Sequence, residues 1–95
     1  MSDTTAGAHY RFPPSAAYRL NRCLYALKSD REFIERYLAD PAAATADMGL
    51  TEGERADLRR MDRDALVARG AHPYLVFMAG LRLKMAAEPG ALEYF

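Results

Sequence analysis

Apolar residues recur along this chain at helical spacing, with charged residues filling the intervals. Ala17, Leu20, Leu24 and Leu27 fall at i, i+3, i+7 and i+10, one stripe on a helix predicted from Ser15, which can cap it, to about Lys28. Tyr18, Arg22 and Tyr25 form a second stripe on another face of the same helix. That amphipathic, aromatic composition is favoured at interfaces. It also suits tyrosine rings packed edge-on against neighbouring helices with their hydroxyls in water.

Ser29-Asp-Arg-Glu32 reads as a capping box opening a second helix. Phe33, Ile34, Tyr37 and Leu38 make its apolar face, and Glu32, Glu35 and Arg36 face solvent. Asp40-Pro41 stops that helix and starts a short alanine-rich one, with Asp40 as N-cap and Pro41 in the first position. Gly49 is expected to close it in the left-handed conformation. Thr51-Glu-Gly-Glu54 is a second capping box, and its helix turns Leu58 and Met61 inward. Asp62 caps a fifth short helix through Leu66 and Val67, closed by Gly70.

The segment Gly70–Met85 contains the longest apolar stretch. Pro73 suits the first position of a helix, and Tyr74 to Leu81 carries no charge. A helix apolar nearly all round is expected to sit among neighbours on several sides. Pro89-Gly90 should end it. No segment alternates with period two, and the β-branched residues are only Ile34, Val67, Val76 and four threonines, so strands are not expected. The predicted fold is all-α, a compact array of five to six short helices around a central apolar C-terminal helix. Residues 1–14, with Tyr10, Phe12, Pro13 and Pro14, read as an extended N-terminal arm. Residues 15–88 form the helical domain and 89–95 a short C-terminal tail.

The 95 residues suffice for one modest core. Thirteen basic and thirteen acidic residues cancel, which argues against a general nucleic-acid binder. A helix-turn-helix reading of residues 51–70 has Arg59, Arg60 and Arg63 in its favour, but the second helix is too short to present a base-reading face. The single cysteine, Cys23, fits a reducing compartment. The first residues lack the charge and apolar pattern of a signal peptide, and Tyr74–Leu81 falls short of the roughly 20 apolar residues that span a bilayer. The expectation is a cytoplasmic protein without membrane contact.

No catalytic machinery is legible. Possible metal ligands are His9, His72, Cys23 and scattered carboxylates, and no pair has the spacing of a metal motif. Cys23 lies near the apolar stripe and reads as a small core residue. The alternating acids and arginines of residues 52–64 read as a solvated face with weak pairs, each worth about 0.3–0.5 kcal/mol. His72 stands before Pro73 at a helix mouth. Its ring nitrogen can cap its own helix; otherwise His72 and Tyr74 offer a proton donor and a phenol to a substrate or partner.

Five segments together carry a resemblance: Tyr18-Arg-Leu-Asn-Arg22, Arg31-Glu-Phe-Ile34, Tyr37-Leu-Ala-Asp-Pro41, Met48-Gly-Leu-Thr-Glu52 and Leu66-Val-Ala-Arg-Gly-Ala-His-Pro-Tyr-Leu75. In this order and spacing, over roughly residues 16–83, the chain resembles the small α subunit of protocatechuate 4,5-dioxygenase, the LigA-type domain of class III extradiol dioxygenases. The resemblance implies an all-helical fold and a non-catalytic subunit. The Fe(II), its two histidines and one glutamate, and the base would belong to a large catalytic partner. It implies a lid over that partner's active site, excluding water and positioning substrate for aromatic ring opening. By position, Leu20, Asn21, Arg22, His72, Tyr74 and Phe77 would face the pocket, with Tyr18 and Tyr25 as further partner-facing residues. The alternative is a free-standing module, self-associating or binding an aromatic small molecule or peptide through the same residues.

Overall fold

Short polar side chains at the helix starts set where each helix begins. The computed structural model describes residues 15–88 and shows six helices among them: α1 Ser15–Ser29, α2 Arg31–Ala39, α3 Pro41–Ala44, α4 Glu52–Arg60, α5 Arg63–Ala68 and α6 Pro73–Ala87. Among the described residues there is no strand, and the fold is all-α as expected. The predicted arm 1–14 and tail 89–95, with Pro89-Gly90, lie outside the described residues, as does the side chain of Ser15.

Asp40 serves two helices at once. Its amide donates to the Arg36 carbonyl at 3.0 Å, and its carboxylate accepts from the Ala43 amide at 3.2 Å. Both halves of the Thr51–Glu54 capping box are made: the Glu54 amide donates to Thr51 Oγ1 at 3.1 Å, and the Thr51 amide to Glu54 Oε1 at 2.8 Å. Asp62 accepts from the Ala65 amide at 3.1 Å. Gly49 and Gly70 hold φ of +74° and +105°, conformations that side-chain-bearing residues rarely adopt. The second capping position differs from expectation. Ser29 is the last residue of α1, and Asp30 takes the cap, accepting from the Phe33 amide at 3.1 Å. The joint between the two helices is a single residue, Asp30, one position later than a cap at Ser29 would place it.

The core gathers around α1. Ala17, Leu20, Cys23, Leu24 and Leu27 are wholly removed from solvent, and Phe33, Ile34, Tyr37, Leu58 and Leu66 close over them. Each of the three leucines on α1 contributes about 1.5–3 kcal/mol of burial. α6 packs against α1, α2 and α5, as expected of the helix the others surround, but its enclosure is partial. Only Val76 and Ala79 of α6 are buried, and Phe77 is 61% exposed. A helix apolar all round carries no signal for which side is covered; α1 has a polar face, so its apolar stripe must turn inward.

Candidate functional site

Asn21 fixes the relation between α1 and α6. Its amide nitrogen donates to the Gly70 carbonyl at 3.1 Å, and its amide oxygen accepts from the His72 amide at 2.8 Å. Further along, Arg82 Nε donates to the Lys28 carbonyl at 3.1 Å. Asn21 thus meets the start of α6 and Lys28 its later turns, so the two helices run side by side in the same direction.

This pairing settles where the aromatic residues stand. On α6, Val76 and Ala79 look into the core, which leaves Tyr74, Phe77 and Leu81 on the far side of the helix. On α1, Tyr18 and Tyr25 lie beside Asn21 and Lys28 on the solvent side of the contact with α6. Tyr18, Tyr25, Tyr74 and Phe77 are 62%, 57%, 53% and 61% exposed. Both helices therefore present exposed aromatic residues to solvent. Lys28 Nζ sits 5.2 Å from the centre of the Tyr25 ring, and exposed Arg22 adds a second cation at the margin.

His72 caps its own helix. The Tyr74 amide donates to His72 Nδ1 at 3.1 Å, and the Tyr74 ring stands edge-on to the imidazole with ring centres 6.5 Å apart. With Nδ1 accepting, the neutral ring carries its proton on Nε2.

Of the predicted site residues, Tyr18, Arg22, Tyr25, His72, Tyr74 and Phe77 are exposed. Leu20 is corrected: it has no exposed surface and belongs to the core, because it lies on the buried stripe of α1. Asn21 is half-buried, and its role is to hold the turn before α6. Polar spacing alone does not reveal this clamp, since its partners lie 49 and 51 residues away in the chain.

The charged segment 52–64 is more than a solvated face. Asp57 is buried, accepting from Arg69 Nε at 2.6 Å and Arg60 Nη2 at 2.7 Å. The hydrogen bond from Arg69, reinforced by the charges of both guanidinium groups, outweighs burial and holds the Asp57 carboxyl below its ordinary value. Arg69 thereby ties α4 to the end of α5, and Arg60 also reaches Asp62, the cap at the start of α5. Cys23 is the inert core thiol expected of it, with burial pushing its pKa up to about 12.

Among the described residues, no three His, Cys, Asp or Glu side chains stand close enough together to hold a metal ion. None of the described helices is long and apolar enough to cross a membrane. Fold and surface together define a small all-α domain with several large aromatic side chains left exposed.

The family model described as aromatic-ring-opening dioxygenase LigAB, LigA subunit, matches residues 20–88. The chain belongs to this family of dioxygenase small subunits. No curated protein and no solved structure matches the chain.

Proposed function

We propose that this chain is a non-catalytic small subunit that docks on the catalytic subunit of an aromatic-ring-opening dioxygenase and caps its active site. The observation that supports this reading most is the set of exposed aromatic residues on α1 and α6, Tyr18, Tyr25, Tyr74 and Phe77, which fall within or beside the family-matched region. Tyrosine and phenylalanine on rigid helices supply broad contact area at small entropic cost, the composition of protein interface centres. Tyr74 and Phe77 would close the mouth of the partner's pocket against water, while Asn21 holds the turn that carries them. Among the described residues Cys23 is sealed in the core and His72 has no second and third possible ligand beside it, so this reading places the metal on the partner. The Fe(II) that such ring opening uses is assigned to the catalytic subunit, and the complex to the cytoplasm.

Co-expression with a LigAB-type catalytic subunit tests the reading. A stable complex with increased ring-opening rate is expected, and Phe77→Asp should dissociate it while leaving the helical spectrum unchanged. Failure to form a complex with any such subunit would sink the proposal. It would leave the alternative of a self-associating or ligand-binding module.

A further inference from the structure

A groove of about 510 Å³ runs between α2 and α6, starting at the joint of α1 with α2. Its volume falls within the roughly 300–1,000 Å³ typical of small-molecule sites. Helical spacing builds both walls. On α2, Arg31, Ile34, Glu35 and Leu38 stand at i, i+3, i+4 and i+7, and on α6, Arg82, Met85 and Ala86 stand at i, i+3 and i+4. Each wall therefore begins with an arginine and ends in aliphatic side chains. Arg82 Nε donates to the Lys28 carbonyl at 3.1 Å, which sets the start of the α6 wall against the end of α1, three residues before Arg31. Lys28, Arg31 and Arg82 are thereby gathered at one end of the groove.

The groove is graded in consequence. At its cationic end, the ion pairs found among the described residues engage neither Lys28 nor Arg82. Glu35 is the sole acid in the lining, and its 3.5 Å pair with Arg31 joins two largely exposed side chains, so water screens it. The far end is aliphatic. Ile34 is buried beneath it, Met85 flanks it, and Leu38 is a large side chain left 41% exposed there. From Arg31 to Leu38 the α2 wall rises about 10 Å. Among the described residues, no aromatic side chain lines the groove.

We propose that this groove binds a single-chain amphiphile with an anionic head, of the class of a short fatty acid. The carboxylate lies between Arg31 and Arg82, whose guanidinium forks match its two oxygens, and the Lys28 ammonium adds charge. The alkyl chain runs past Ile34 and Met85 to Leu38 and takes aliphatic surface out of water. A flat ring finds no aromatic face to stack on here, so an unbranched chain is the better occupant. The proposal is independent of the catalytic partner, because binding is measured on the full chain alone.

Titration of the full chain with octanoate, followed by amide NMR, tests it. Saturable shifts at Ile34, Leu38 and Met85 are expected. Hexanoate, two methylenes shorter, should bind about tenfold weaker. Neutral octanamide should also bind about tenfold weaker, because it lacks the charge. The double variant Lys28→Gln, Arg31→Gln leaves Arg82 on its carbonyl and should lose about tenfold in octanoate affinity, whereas Arg63→Gln on α5 should lose none. Leu38→Ser, at an exposed position, should weaken octanoate severalfold. Shifts absent from the groove, equal binding of hexanoate or octanamide, benzoate binding as tightly as octanoate, or unchanged affinity in the double variant would each overturn the proposal. Shifts there that depend on protein concentration without ligand would assign the groove to a second copy instead, and would overturn it too.

Discussion

Asn21 on α1 accepts a hydrogen bond from the backbone amide of His72, the residue that caps α6, at 2.8 Å. The same side chain donates to the Gly70 carbonyl, so one amide group grips both ends of the turn that launches the last helix. Asn21→Ala should therefore cost about 1–2 kcal/mol, from two partly exposed hydrogen bonds of about 1 kcal/mol each. Thermal unfolding is the check, since each kcal/mol moves Tm by about 4–8 °C in a domain of this size. Asn21→Asp, which keeps the acceptor for His72 and loses the donor to Gly70, should fall between the two.

Gly70 meets two constraints at once. Its φ is +105°, and a Cβ there would come within 2.8 Å of Ala17 Cβ on α1. Gly70→Ala is expected to destabilise by about 1–3 kcal/mol. Adding Ala17→Gly removes the collision and leaves the backbone strain, so the double variant should recover only part of the loss in urea unfolding.

Core and contact face should separate by mutation. Leu24→Ala, at a site with no exposed surface, is expected to cost about 2–5 kcal/mol. Phe77→Ala, in the apolar run of α6 but largely exposed, should stay within about 0.5 kcal/mol of the parent. If the proposed docking is right, Phe77→Ala weakens the complex while Leu24→Ala acts through folding. Parallel measurement of unfolding and partner affinity distinguishes them.

Alkaline pH should unfold the domain through its buried acids. Burial pushes Cys23 from an ordinary 9.0 and Tyr37 from an ordinary 10.0 up to about 12 each. For Tyr37 burial is the largest cause, the charge of Cys23 adds to it, and Arg59 opposes. Folding holds both groups neutral, so the unfolded chain loses these protons first. Their stability contribution is complete below the ordinary values and is lost as pH rises from there toward about 12. The urea midpoint should fall across that window, and less steeply in Cys23→Ala. The native thiol should resist thiol reagents and react once urea unfolds the chain.

Acid should act through Asp57. Its folded pKa is depressed by Arg69 and Arg60, so its contribution is present above the ordinary carboxylate value and disappears as pH falls through the lowered one. Asp57→Asn should lower stability at neutral pH and flatten the acid limb of the stability profile. Thermal unfolding across the acid range checks both effects.

Local chemistry determined much of this protein from sequence alone. The caps at Asp40, Thr51, Asp62 and His72, the left-handed Gly49 and Gly70, and the buried stripe of α1 each depend on residues within one or two turns. The family was legible for a related reason, since its motifs are these same turns and caps in a fixed order. Tertiary structure alone decided the rest. Asn21 with Gly70 and His72, and Asp57 with Arg69, join residues whose separation no periodicity records. It also decided which side of the uniformly apolar α6 is covered. Burial energy scales with the area that neighbours take from water, and a helix apolar on every side gains it from whichever side they reach. Here α1 and its neighbours cover Val76 and Ala79, and Tyr74 and Phe77 are left facing outward.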